Sequence, residues 1–329
     1  MKKSSNIRFF DCCSGMGGAS IGFELADMYC VGRCETNTQA DAVYQTIFGN
    51  KTKNYGDITR IVPAELPDFE VLVAGMDGEP FSKMGNHKGG RDKRSTSLFA
   101  ILNILAVKDT PCCMFEFVDG ILAEEHDGYR DMFISNLSAL GYQVQMVTAN
   151  TKNFGLPISK NRVYFIGSKY GYTFSSIQTV SMNSSLEDCL CDTDNSILDT
   201  TSAGWKEYLD KSNTHGYDIN ALLDEDYVII DRRQTDLRVY RGIAPTLRSG
   251  NHGLFYTKNG QIRKITAYEA MLLQGVPKCI AYDIKENSPV SEAKLLSMVG
   301  CLMPIPVAFC IGKYIFDNLN YAPTSKVAA

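Results

Sequence analysis

The chain has 329 residues, 44% of them hydrophobic and 21% charged, with a formal net charge of −4. Together with a mean hydropathy of −0.14, this is the composition of an ordinary soluble globular protein, and it excludes a disordered chain and a collagen-like repeat. No apolar run reaches the roughly 18 residues that a membrane span needs, and the start Met1-Lys2-Lys3-Ser4-Ser5-Asn6 lacks the apolar stretch of a signal peptide, so a cytoplasmic protein without membrane partners is expected. Eleven cysteines is an odd number, and several are adjacent or one apart, as in Cys12-Cys13, Cys112-Cys113 and Cys189-Leu190-Cys191. They read as reduced, mostly buried thiols. The chain has no CxxC pair and only four scattered histidines, so no metal site is expected.

In chain order, short runs rich in Val, Ile, Phe and Tyr at 7–13, 28–31, 69–75, 112–118, 142–149 and 163–167 read as strands. Segments with helical apolar spacing at 21–26, 40–48, 98–106 and 132–140 lie between several of them. Continuous rather than alternating apolar strands, separated by helices, predict a doubly wound α/β domain on a mostly parallel sheet. Beyond residue 167 the character changes. Residues 183–226 carry eleven acids against two lysines, and residues 232–248 reverse this with five arginines against Asp236. A smaller domain is predicted over 168–265, with helical periodicity returning at 266–273 and 293–299 to rejoin the domain formed by 1–167. On this reading 266–329 belongs with the large domain.

The first strand runs into Asp11-Cys12-Cys13-Ser14-Gly15-Met16-Gly17-Gly18 and a helix opening near Ala19. Glycines allow a sharp turn and close approach to a ligand, and a helix N-terminus adds partial positive charge. Glu35 ends the second strand, where a carboxylate can accept both hydroxyls of a ribose. Asp57 follows at a place suited to an adenine amino group. Singly, each acid reads as a cap or surface residue; together, in strand-end order, they favour an adenosine-type cofactor.

Further pieces follow in order: Ala74-Gly75-Met76-Asp77-Gly78-Glu79-Pro80-Phe81-Ser82, Phe115-Glu116-Phe117-Val118, a segment at 153–163 ending in Lys160-Asn161-Arg162-Val163, Ala244-Pro245-Thr246-Leu247, and Gly300-Cys301-Leu302-Met303-Pro304. The set resembles the DNA cytosine-5 methyltransferases over essentially the whole chain. That resemblance implies a domain binding S-adenosylmethionine, a small target-recognition domain, a final helix returning to the large domain, and a nucleic-acid partner of the double-stranded DNA type. In a bacterium it implies association with the nucleoid. Cofactor-side positions are then Cys13, Gly15, Gly17, Gly18, Glu35, Asp57 and Cys301. Glu116 and Arg162 match the residues that hold the target base, while Ile158 and Lys160 stand where the family has Gln and Arg.

The resemblance also exposes a gap. Where the family reads Gly-Pro-Pro-Cys-Gln-Pro-Phe-Ser, its cysteine attacks carbon 6 of a flipped cytosine; here that position is Gly78, followed by Glu79. Glycine supplies no nucleophile, so standard cytosine-5 methylation is expected to be absent or very low. Cys112 and Cys113 are expected in the core, not as substitutes. Two alternatives stay open: altered chemistry in which Asp77 or Glu79 acts on a nucleobase, and a regulatory partner of an active methyltransferase. The basic loop at 83–94 and the arginines at 232–248 are candidate phosphate contacts.

Overall fold

The computed structural model describes residues 7–76, 96–170, 177, 179, 184–192, 197–199, 219–233, 237–249 and 253–321. In chain order its strands are β1 (Arg8–Cys12), β2 (Tyr29–Cys34), β3 (Val71–Gly75), β4 (Cys112–Val118), β5 (Gln143–Asn150), β6 (Ile158–Ser159), β7 (Asn161–Ser168), β8 (Ile229–Arg232), β9 (Leu237–Tyr240), β10 (Ala244–Pro245), β11 (Leu254–Lys258) and β12 (Gln261–Lys264). The helices are α1 (Gly18–Leu25), α2 (Thr38–Phe48), α3 (Thr96–Lys108), α4 (Asp127–Ala139), α5 (Leu186–Cys189), α6 (Ile219–Leu222), α7 (Ala267–Leu273), α8 (Lys278–Asn287), α9 (Glu292–Cys301) and α10 (Ile305–Tyr321). They form two compact units. The first comprises Met1–Asn150, Asn161–Val180 and Met303–Ala329; the second, Thr151–Lys160 and Ser181–Leu302.

The first unit is built on a six-stranded sheet of order β2-β1-β3-β4-β7-β5. Strands β1 to β4 run parallel, and β7 lies antiparallel between β4 and β5. This is the doubly wound, mostly parallel α/β architecture expected. Phe9 and Phe10 are both fully buried and point to opposite faces, as neighbouring strand residues must. Phe9 meets Phe23 of α1 at 5.4 Å between ring centres, whereas Phe10 joins the cluster that α3 and α4 supply with Leu98, Ile101, Phe133 and Leu137. Four phenylalanines, Phe115, Phe117, Phe133 and Phe165, meet edge to face in that cluster with ring centres 4.9 to 5.4 Å apart, the arrangement that aromatic quadrupoles favour. Cys112 and Cys113 are 2% and 0% exposed within β4, which makes them core residues. Strand β5 has exposed Gln143, Met146 and Thr148, in keeping with its edge position. On the other face α10 meets α1 so closely that a Cβ built on Gly22 would lie 2.4 Å from the Ala308 Cβ.

The second unit contains a four-stranded antiparallel sheet of order β12-β11-β8-β9 and a short parallel pairing of β10 with β6. Its small apolar core gathers Leu222, Val228, Ile230, Leu237, Phe255 and Ile262. Helix α7 starts with a capping box, in which Thr266 accepts from the Glu269 amide and the Glu269 carboxylate accepts from the Thr266 amide. Glu269 is fully buried and also accepts from the Tyr256 hydroxyl at 2.8 Å and the Asp192 amide at 3.2 Å. Helices α7 to α9 lie in this unit and α10 in the first. Among the described residues, no single helix is long and apolar enough to cross a membrane.

Lys160 is fully buried in the second unit, where its ammonium donates to the carbonyls of Leu302 at 2.6 Å and Gly300 at 3.3 Å. A hydrophobic replacement leaves those acceptors without this donor. Lys160→Met is therefore expected to cost about 2 kcal/mol of stability, read as a lower urea midpoint at unchanged slope; a parental midpoint would contradict this role.

Candidate functional site

Strand β1 ends in a turn whose backbone enters the left-handed region three times, at Cys13 (φ 59°), Gly15 (φ 54°) and Gly17 (φ 91°). The Ser14 amide donates to the Cys34 carbonyl at 3.0 Å, which ties the turn to the end of β2. Gly17 caps α1 and brings no side-chain acceptor to its first turn. A Cβ on Gly17 would come within 2.9 Å of both Phe48 and Tyr44, so close packing as well as conformation demands glycine there.

Glu35, directly after β2, organises this end of the sheet. One carboxylate oxygen accepts from the Gly15 amide at 2.7 Å and the other from the Asn37 amide at 2.7 Å. Asn54 holds the Glu35 backbone from the opposite side: its side-chain oxygen accepts from the Glu35 amide at 3.0 Å and the Gly56 amide at 2.9 Å, and its amide nitrogen donates to the Glu35 carbonyl at 3.0 Å. Beneath them Arg33, 1% exposed, pairs with Asp41 and lies over the Tyr44 ring at 3.9 Å. Asp57 accepts from the amide and hydroxyl of Thr59 and pairs with Arg60 at 3.3 Å. The Thr59 hydrogen bonds hold its carboxyl below the usual range. Of the expected cofactor-side positions, Cys13, Gly15, Gly17, Gly18, Glu35 and Asp57 all lie at the carboxyl ends of β1 and β2 or in the segments that follow them. Cys301 is exposed at the end of α9 in the second unit.

Sequence reading did not single out Asp11, which sits under the glycine turn at 1% exposure. One of its oxygens accepts from the Ser20 hydroxyl at 2.6 Å, and that hydroxyl accepts from the Tyr44 phenol at 3.1 Å. The other oxygen has no hydrogen-bond partner. Burial pushes the Asp11 carboxyl up to about 7, against the opposing Ser20 hydrogen bond and the Arg33 charge. Between about pH 4 and pH 7 the folded chain thus keeps a proton that the unfolded chain releases, and stability falls as pH rises through that window. Asp11→Asn removes this contribution. Its unfolding free energy, from urea titration, is expected to change less than the parent's between pH 5 and pH 7, by on the order of 1.4 kcal/mol per pH unit; parallel pH profiles would refute the assignment.

The second cluster lies where β4 meets β7. Glu116 and Tyr164 are register partners, and the Tyr164 hydroxyl donates to the Glu116 carboxylate at 3.0 Å. Arg162 brings its Nε to 3.8 Å from the same oxygen. Burial and the Glu116 charge keep the Tyr164 phenol protonated far above its ordinary range. Gly75, the last residue of β3, is the register partner of Glu116, and the Met76 amide donates to the Glu116 carbonyl at 2.9 Å. The structure thus brings Glu116 and Arg162 together and adds Tyr164, which only the strand register reveals. Phe117, by contrast, is 1% exposed in the core. Ile158 and Lys160 are buried in the second unit. Gly78 and Glu79 lie outside the described residues, as do Asp77 and the basic loop at 83–94.

The family of C-5 cytosine-specific DNA methylases matches the chain over residues 7–317. Type II methyltransferase M.NlaX of Neisseria lactamica is 27% identical over 327 residues, covering 98% of this chain and all of that protein. M.BsuFI of Bacillus subtilis is 34% identical over 161 residues, which span 49% of this chain and 39% of that protein. In three dimensions the chain is similar to the crystal structure of the S. pombe Dnmt2 methyltransferase, with a TM-score of 0.68 at 17% identity, covering 96% of this chain and 100% of that one. With the match running through both units and across the glycine turn, Glu35 and Glu116, the chain belongs to the C-5 cytosine-specific DNA methylase family.

Proposed function

We propose that this protein binds S-adenosylmethionine and duplex DNA but does not methylate carbon 5 of cytosine. The observation that carries the proposal is Gly78, which stands where the family's motif has its cysteine nucleophile. Methylation at that carbon requires a covalent bond to carbon 6, which makes carbon 5 nucleophilic. Loss of the nucleophile from such a catalytic unit removes on the order of 10⁶ in rate. No other cysteine replaces it in sequence, and burial pushes the Cys112 thiol up to about 12 and the Cys113 thiol higher still, so both stay protonated.

S-adenosylmethionine is the methyl donor of this family and supplies an electrophilic methyl group when bound. The residues of the first unit fit such a ligand. Each Glu35 oxygen accepts one backbone amide, and a carboxylate oxygen has capacity for a further donor, here a ribose hydroxyl. The left-handed backbone at Gly15 and Gly17 allows close approach, and the α1 N-terminus attracts negative charge through its dipole. Glu116, Arg162 and Tyr164 offer a preset polar edge for a base. Calorimetric titration with S-adenosylmethionine and its demethylated product, alongside anisotropy of a labelled DNA duplex, tests the proposal. Binding of both is expected, and failure of either removes its half of the reading.

A further inference from the structure

We propose that Asp231 is a positioning residue that presets Arg233 and Arg248 as a phosphate contact for the nucleic acid. The inference rests on the DNA-binding reading above and deepens it. Asp231 lies in β8 and is only 1% exposed. Its two oxygens are divided between two guanidiniums: one accepts from Arg233 Nε at 2.9 Å, the other from Arg248 at 2.6 Å. Those side chains come from separate segments, Arg233 directly after β8 and Arg248 shortly after β10, and they are 29% and 22% exposed. The Asp231 carboxylate therefore gathers two cations that would otherwise repel each other and leaves them in contact with solvent.

Charge supports an anionic ligand. One carboxylate is shared by two guanidiniums, both of them partly exposed. Residues 231–248 hold five arginines against Asp231 and Asp236, with Arg241 paired to Glu225 at 2.8 Å, and Arg238, the exposed register partner of Asp231, lies on the same face of the sheet. A burial cost for an acid is repaid only with partners of good geometry, and here those partners are also the outward charges. Guanidiniums match phosphate oxygens as planar forks. Holding them in place before binding saves the rotamer entropy otherwise lost on contact. Gly300 packs closely against the Arg248–Ser249 backbone, since a Cβ there would lie 2.8 Å from the Arg248 carbonyl carbon and the Ser249 nitrogen.

The test is salt-dependent anisotropy of two labelled duplexes of unrelated sequence with the full chain. Arg248→Ala is expected to weaken binding about tenfold on both duplexes and to lower the slope of log affinity against log salt by about one. Asp231→Asn should weaken binding about tenfold as well, yet have less than a twofold effect when added to a chain carrying Arg233→Ala and Arg248→Ala, because it acts through those side chains. Arg248→Lys, which keeps the charge and is a mild change for folding, should lose severalfold in affinity at an unchanged slope. Parental affinity in Asp231→Asn or Arg248→Lys, a loss confined to one duplex, or an undiminished Asp231→Asn effect without the arginines would overturn the proposal alone. A parent chain that binds neither duplex would overturn the DNA-binding reading itself.

Discussion

Glu35→Ala is expected to weaken binding of S-adenosylmethionine about a hundredfold, read by titration calorimetry. The substitution removes acceptors from the Gly15 and Asn37 amides and, in the proposed complex, from the ribose hydroxyls. Hydrogen bonds to a charged acceptor contribute about 1.5 to 3 kcal/mol each, and a hundredfold corresponds to about 2.8 kcal/mol. The loss of more than one such bond therefore covers the expected effect. Part of it comes from the turn, since the tether that holds Gly15 in its left-handed conformation disappears with the side chain. Glu35→Gln keeps the shape and one acceptor oxygen, and is expected to lose about tenfold. A Glu35→Ala chain that binds as the parent does would exclude Glu35 from the cofactor site.

A second large effect lies at Gly22, on folding rather than on binding. A Cβ there would lie 2.4 Å from the Ala308 Cβ and 2.9 Å from the Phe309 backbone nitrogen, neither of which is the end of a flexible side chain. Helix α1 or α10 has to move. Overpacking of this kind costs about 1 to 3 kcal/mol, partly offset by the better helix propensity of alanine. Gly22→Ala is expected to lose about 2 kcal/mol and Gly22→Val about 4 kcal/mol, because valine adds two more methyl groups and loses rotamer freedom in a helix. Gly128, in α4, is the control: a Cβ there meets nothing within 4 Å. Gly128→Ala should raise stability by up to about 1 kcal/mol. Equal urea midpoints for the two alanine variants would contradict the close helix contact.

The large sheet was legible because its strands are continuous apolar runs. For example, β4 occupies Cys112–Val118, the span its composition predicts. Edges were less legible. Strand β2 runs to Cys34, three residues past the apolar run, since Arg33 is buried by its pairing with Asp41 and its stacking on Tyr44. The antiparallel sheet of the second unit was not anticipated. Strands β8 and β9 have four residues each and carry arginines, so the alternation in β9 and the apolar run that opens β8 are too short to mark them. One signal was present: Asn259-Gly260, with φ of 52° and 68°, joins β11 to β12, and that dipeptide is a strong hairpin marker. Within the site, Gly15, Gly17 and Glu35 were readable from strand-end order. Asn54 and Tyr164 were not, because their roles depend on which backbone atoms and register partners lie opposite them. Asp11 was hidden for a different reason. A lone acid at a strand end carries no sign of how deeply it is buried.

On the proposed reading, a cofactor-binding member of this family lacks its nucleophile at Gly78. The decisive experiment incubates the full chain with labelled S-adenosylmethionine and DNA containing every cytosine context, then quantifies 5-methylcytosine by mass spectrometry. A sample shown by calorimetry to bind the cofactor is expected to give none above background. Carbon 5 product at rates typical of an active enzyme would contradict the account and require a thiol from elsewhere in the chain to reach the base.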